Sequence, residues 1–300
     1  MIKAARNAVA SAMAWTLYHA PALERPYAHA AHAARRVPGL HTLFRETTDR
    51  LAVKLVDGRR EFRRLRIGPV SAVFDVSNFT VKGHYFANVP YEPHTTQALL
   101  TLLTPGSVFV DIGANTGYFT VLAALQVGNS GHVFAFEPNP SVRDQLQRHL
   151  TVNGVTNRVT VCDVALADRN EDNAQFFLSC WPENDGISSL TPAPETIARG
   201  GLNADSTIRV RVRTFDTWIS AAQAVQLERI DLMKIDVEGA ETHVLSGMRR
   251  ALEVLRPRRI ICETTQDSTA VTLLRSRGYK VSMLEDIRGG IPNLLFELQE

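Results

Sequence analysis

The stretch VFVDIGANTGYFT, Val108 to Thr120, runs from an apolar strand into an acid and then into a glycine-spaced turn. Beyond Thr116 the pattern turns helical, with Phe119, Leu122, Ala123 and Leu125 on the apolar side. A strand, a glycine turn and a helix in that order form the nucleotide-holding unit of parallel α/β sheets. The dinucleotide version of the turn reads Gly-x-Gly-x-x-Gly. Here Gly113 and Gly117 flank Asn115, and the middle glycine is missing.

Outward from this unit, strand-like and helix-like segments alternate, as expected of a parallel sheet with crossover helices. After SVFVDIG come GHVFAFEPNP and a helix with Val142, Leu146 and Leu150 at fourfold spacing. RVTVCDVALAD reads as a third strand and IDLMKIDVEG as a fourth, followed by a helix carrying Val244, Leu245, Met248 and Leu252. RRIICET is the fifth strand, and YKVSMLED and NLLFELQE close the chain as a final pair. A long insertion, Arg169 to Glu228, separates the third and fourth strands; it contains AQFFLS, PENDGISSLTPAPE and TIRVRVRTFDTWI. A segment longer than ordinary connections is expected to be functional, as a lid or an acceptor-binding region.

In open parallel sheets a ligand lies beyond the carboxyl ends of the strands, where Asp111 stands. A carboxylate repels a pyrophosphate and attracts an ammonium or a sulfonium. S-adenosylmethionine carries both cations, and its carboxylate suits the start of the helix near Thr116. Gly113 and Gly117 would let the backbone approach such a ligand closely. Glu137 ends the second strand, where an acid accepts from ribose hydroxyls, a feature shared by NAD sites. Asp163, at the end of the third strand, is placed to accept from an adenine amino group. An NAD-dependent Rossmann oxidoreductase is the alternative enzyme, disfavoured by the absent glycine and by Asp111. A non-catalytic cofactor-binding protein is the alternative outside enzymes.

VFVDIGANTGYFT, VFAFEPNP, VALAD, VRVRTFDTW and IDLMKIDVEGAETHVLSGM, in this order and spacing, resemble the FkbM family of S-adenosylmethionine-dependent methyltransferases. The resemblance covers about Glu92 to Glu263. It implies a Rossmann-like class I methyltransferase fold: α/β, a mainly parallel seven-stranded sheet with one antiparallel strand and helices on both faces. It also implies methyl transfer, mostly to hydroxyl oxygens of sugars, polyketides and related small metabolites. By resemblance Asp111, Gly113, Asn115 and Gly117 sit at the methionine end of the cofactor, Glu137 at its ribose and Asp163 near its adenine.

In MKIDVEGAE, Lys234, Asp236 and Glu238 alternate with Ile235 and Val237, so period two directs the three charges to one side of the strand end. Such charges should pair with one another or with ligands. Transfer to a hydroxyl requires alignment and a base or metal, because a hydroxyl is a poor nucleophile. Asp236 is the first candidate for base or metal ligand, with Glu263 at the end of the fifth strand as its partner. Lys234 would stabilise a developing alkoxide or neutralise the acids. A purely structural charge cluster remains the competing reading. His94 and His243 are secondary candidates for base, against a surface or capping role. Trp181 and Trp218 line an acceptor pocket or belong to the core, and GISSL, Gly186 to Leu190, is a candidate lid segment.

Three hundred residues with a formal charge of +2 describe an ordinary globule without the basic excess of a nucleic-acid-binding protein. Cys162, Cys180 and Cys262 show neither metal spacing nor a disulfide framework, which suits buried thiols in a cytoplasmic protein. Residues 1–50 are expected to form a helical extension. Their alanine-rich start is too weakly apolar for stable membrane insertion and reads as a peripheral amphipathic helix. His29 and His32 share a helix face without a third ligand nearby. Residues 51–91 are expected to form a small β element with a hairpin at Asp57-Gly58, made basic by Arg59, Arg60, Arg63, Arg64 and Arg66. Residues 92–300 would form the cofactor domain, opened by a helix with Leu99, Leu100, Leu102 and Leu103. Its partner is a small-molecule acceptor, glycan or polyketide.

Overall fold

A computed structural model describes residues 2–179, 187–191, 201–221, 227–286 and 290–299. It divides into two compact units, one formed by residues 1–67 and 71–91, the other by residues 68–70 and 92–300.

The amino-terminal unit contains α1 (Ile2–His19), α2 (Glu24–Ala33), α3 (Pro38–Asp57), the paired strands β1 (Phe62–Ile67) and β2 (Val70–Asp75), and α4 (Phe79–Ala87). The expected hairpin at Asp57-Gly58 is corrected: Leu51 to Asp57 are the last turns of α3, and the hairpin turns at Gly68-Pro69. Thr47, Leu51 and Leu55 are buried at fourfold spacing, so helical burial prevails over the local turn signal. Gly58 instead ends the helix, its N–H donating to the Lys54 carbonyl at 3.0 Å. Arg6 binds Glu46, and a methyl group on Gly58 would meet the Tyr18 hydroxyl; the constant offset means that α1 and α3 run parallel.

The second unit opens with α5 (Pro93–Leu102), β3 (Val108–Ile112), α6 (Tyr118–Val127), β4 (His132–Phe136), α7 (Pro140–Val152) and β5 (Val159–Cys162). Next come β6 (Val164–Leu166), β7 (Glu171–Ser179), β8 (Leu202–Arg213), α8 (Phe215–Ala221) and β9 (Leu232–Ile235). The chain finishes with α9 (Glu241–Ser246), α10 (Arg249–Val254), β10 (Arg259–Glu263), α11 (Thr269–Ser276), β11 (Tyr279–Glu285) and β12 (Asn293–Leu298).

Seven strands form the main sheet in the order β11-β12-β10-β9-β3-β4-β5. All neighbours are parallel except β12, which is antiparallel to β10 and β11. This strand order with its reversed strand is the class I methyltransferase sheet that the resemblance implied. From β3 the chain moves outward to β4 and β5, then returns to the other side of β3 with β9. That reversal opens a crevice at the carboxyl ends of β3 and β9. Both strands are buried to their ends: Val110, Ile112, Met233 and Ile235 join Phe134, Phe136, Phe215, Ile260 and Phe296 in one core. Each such side chain contributes roughly 2 kcal/mol by leaving water.

The expected third strand breaks at Asp163. Its second half, β6, leaves the main sheet to pair with β8, which also pairs with β7. The insertion thus adds β7 and β8 to β6 in a three-stranded sheet with its own small core of Ala174, Phe176, Leu190, Val210 and Val212. Cys162 and Cys262 are free and buried, and burial raises the Cys162 thiol to about 12. Cys180 lies outside the described residues. Among the described residues no helix is long and apolar enough to cross a membrane.

Candidate functional site

Parallel pairing of β3 with β9 sets Asp111 directly beside Lys234. Both are almost fully buried, Asp111 at 1% exposure and Lys234 at 2%. Asp111 accepts from the Thr120 hydroxyl at 2.6 Å, and burial pushes its carboxyl up to about 6 against the pull of Lys234. The Lys234 ammonium donates to Asp236 Oδ2 at 2.5 Å and lies 4.7 Å from the centre of the Phe119 ring. Burial alone would favour its neutral form, but Asp236, Glu92 and Asp111 outweigh it and hold the proton on. Asp111 is therefore bonded to Thr120 and set beside Lys234 at the base of the turn.

Above these charges, Gly113 and Ala114 both donate to the Phe136 carbonyl, at 3.1 and 3.0 Å, which bends the turn over β4. Gly113 has a φ of 84°, and a methyl group on it would lie 1.8 Å from the Asp236 carbonyl oxygen. Gly117, at 88°, has Leu146 at 2.2 Å from the same position. At Gly113 the backbone of the protein itself forbids a side chain, whereas at Gly117 the movable end of Leu146 is in the way and the left-handed φ is what disfavours one. Glu137 accepts from the Asn115 N–H at 3.0 Å and from the Asn139 N–H at 2.8 Å, so it fixes the turn from below. Burial raises Glu137 to about 7 despite these two bonds. Asp163 is half-exposed and paired with Arg211 of β8.

Past β9 the chain gathers acids. Oxygens of Asp236, Glu238 and Glu263 all lie within 4.8 Å of one another. Burial raises Glu238 to about 8 and Glu263 to about 11, with mutual repulsion and Asp236 adding to both. Glu263 Oε2 is buried without a hydrogen-bond partner. Strand alternation holds for Lys234 and Asp236, but β9 ends at Ile235 and Glu238 has a φ of 55°. Glu238 reaches the cluster through a left-handed turn, not through period two. Glu241, whose role the sequence reading missed, accepts from the N–H groups of Val237 and Gly239 at 3.1 Å each and stiffens that turn. Its signal was present: an acid two residues beyond a turn glycine can cap the amides of that turn. Ser189 donates to the Glu238 carbonyl at 2.8 Å and accepts from the Thr191 N–H, tying part of GISSL to the same turn.

The secondary candidates fall elsewhere. His243 is half-exposed and paired with Asp168 at 2.9 Å. His94 is exposed, 3.6 Å from Glu285. Trp218 stacks on Phe215 and meets Phe136 edge-on, so it belongs to the core. Trp181 and Gly186 lie outside the described residues.

Residues 111–281, which span both turns, match the model of the methyltransferase FkbM domain. The chain belongs to the FkbM methyltransferase family. The 2-O-methyltransferase NoeI of Sinorhizobium fredii is 30% identical over 53% of this chain and 65% of its own length. The 31-O-demethyl-FK506 methyltransferase FkbM of Streptomyces tacrolimicus is 28% identical over 61% of this chain and 76% of its own. The AMB antimetabolite synthetase AmbE of Pseudomonas aeruginosa is 28% identical over 62% of this chain, which spans 10% of that protein. Among solved structures, an O-methyltransferase from Bacillus cereus in complex with SAH matches with a TM-score of 0.40 and 12% identity, over 85% of this chain and 91% of its own. This FkbM-family chain is a methyltransferase, with S-adenosylmethionine as its cofactor, and the family match decides against the oxidoreductase alternative.

Proposed function

We propose that this methyltransferase transfers a methyl group to a hydroxyl oxygen of a sugar, polyketide or other small metabolite. The contact between Gly113 and Asp236 carries the reading, because it brings the cofactor turn against the turn that bears the candidate base.

The donor set fits the cofactor. The buried acids Asp111 and Glu137 make the turn from Gly113 to Gly117 unsuited to a pyrophosphate, and Glu137 keeps acceptor capacity for a ribose diol. Asp111, Gly113, Asn115 and Gly117 would hold the methionine end, Glu137 the ribose and Asp163 the adenine. When bound, S-adenosylmethionine supplies an electrophilic methyl group on a sulfonium. Asp236 takes the hydroxyl proton of the acceptor. Lys234 fixes Asp236 Oδ2 and leaves the other oxygen to the acceptor. Glu263 holds the acceptor or a cation opposite Asp236.

A divalent cation fits the acidic trio on the chemistry of its donors, all of them oxygens, and on the buried, unpartnered Glu263 Oε2. Asp236, Glu238 and Glu263 would hold it, and it would lower the pKa of a bound hydroxyl. The insertion of residues 169–228 would select the acceptor, and the free thiols suit a cytoplasmic location.

Calorimetry with S-adenosylmethionine, S-adenosylhomocysteine and NAD tests the cofactor, with binding expected for the two adenosyl compounds. Mass spectrometry of glycan and polyketide alcohols for the gain of one methyl group, with and without chelator, tests the acceptor. NAD binding without a response to either adenosyl compound contradicts the reading.

A further inference from the structure

The two units differ sharply in charge. Residues 1–91 hold 14 Lys and Arg against 6 Asp and Glu, a net of +8; residues 92–300 hold 19 against 25, a net of −6. The near-neutral total conceals a strongly basic amino-terminal unit.

That unit also exposes an unusual helix face. Between Arg6 and His19, α1 has no charged residue. Its inner side buries Ala10, Ala14 and Leu17. Its outer side, Ala8, Val9, Ser11, Ala12, Trp15 and Thr16, is exposed and uncharged, with Trp15 at 57% and Val9 at 47%. A surface helix ordinarily turns charged residues to water, and one that is apolar all round is ordinarily covered on both sides.

We propose that the outer face of α1 docks on an anionic lipid surface. A tryptophan flanked by alanine and valine suits the boundary between headgroups and acyl chains. The net charge of +8 supplies the attraction, since each Lys or Arg near an anionic leaflet adds to binding. Arg25, Arg35, Arg36, Arg64 and Arg66 of the same unit are also exposed. The helix lies on the surface and does not span it, consistent with the lack of a spanning helix among the described residues. A nucleic acid would answer the charge but leave the uncharged face uncovered. A second copy would cover the face but be repelled by the charge.

The test is co-sedimentation of the full chain with phosphatidylcholine vesicles, with and without about a third of the lipid replaced by phosphatidylglycerol. Sedimentation is expected with the anionic vesicles only, and it should fall steeply as salt rises. Trp15→Glu and the double variant Arg35→Glu/Arg36→Glu should each weaken partition by at least about tenfold, the second also flattening the salt dependence. Both variants change exposed positions, and an unchanged circular dichroism spectrum verifies their fold. Failure of the wild-type chain to sediment with anionic vesicles, or undiminished partition of both variants, overturns the proposal. So does binding to duplex DNA as tight as to the vesicles, or a lipid-free dimer that Trp15→Glu dissociates.

Discussion

Gly113 and Asp236 touch through their backbones: the Asp236 N–H donates to Ile112, and the Asp236 carbonyl occupies the place of a Gly113 side chain. The cofactor turn and the acidic turn are therefore one structural object, and a change in either should be felt in the other.

Gly113→Ala puts a methyl group 1.8 Å from the Asp236 carbonyl, at a φ of 84°. Both the clash and the left-handed backbone disfavour it, and a loss of roughly 3 kcal/mol is expected. Urea unfolding measures this, and calorimetry should show a parallel loss of S-adenosylmethionine affinity. A variant with wild-type stability and affinity would mean that the two turns are not coupled.

Asp236→Asn keeps the shape of the side chain and removes its basicity. Turnover should fall by on the order of a hundredfold or more, while S-adenosylmethionine affinity changes by only about a few-fold. Unchanged turnover removes Asp236 from the chemistry.

Burial raises Glu137 from 4.5 to about 7 in the folded state. The folded chain then keeps a proton that the unfolded chain gives up, so unfolding releases protons across this interval. The contribution of Glu137 is complete below about 4.5 and is lost as the pH rises through about 7. It amounts to on the order of 3 kcal/mol. Glu137→Gln should flatten the pH dependence of the urea midpoint over that window; an identical slope in both proteins would show that Glu137 does not carry it.

If the acidic trio binds a cation, manganese or magnesium should give a calorimetric signal in the apoprotein that Glu263→Gln reduces at least about tenfold. Chelation should then depress methyl transfer in step. Cation binding unaffected by Glu263→Gln would move any metal away from this cluster.

The order of strands and helices from Val108 onward was legible because buried parallel strands and amphipathic helices print their periods directly on the sequence. The positions of Asp111, Glu137 and Lys234 next to the ends of buried strands were legible for a related reason, since the apolar runs mark where those strands stop. The same reasoning failed at Leu51 to Asp57, where Asp-Gly imitates a hairpin while the buried residues keep a helical spacing. It missed the split at Asp163 because nothing in RVTVCDVALAD announces that β8 will take its second half as a partner.

The sequence by itself determined the family, the sheet and the acids at its strand ends, all of which follow from local pattern and motif order. Only the tertiary structure decided what those residues face. It turned Asp111 inward to Thr120 and Lys234, brought Glu238 to Glu263 through a left-handed turn, and gave Gly113 a neighbour in Asp236. These are relations between segments more than a hundred residues apart, or between a turn and the strand beside it. They depend on which strands become neighbours, and no local period contains that information.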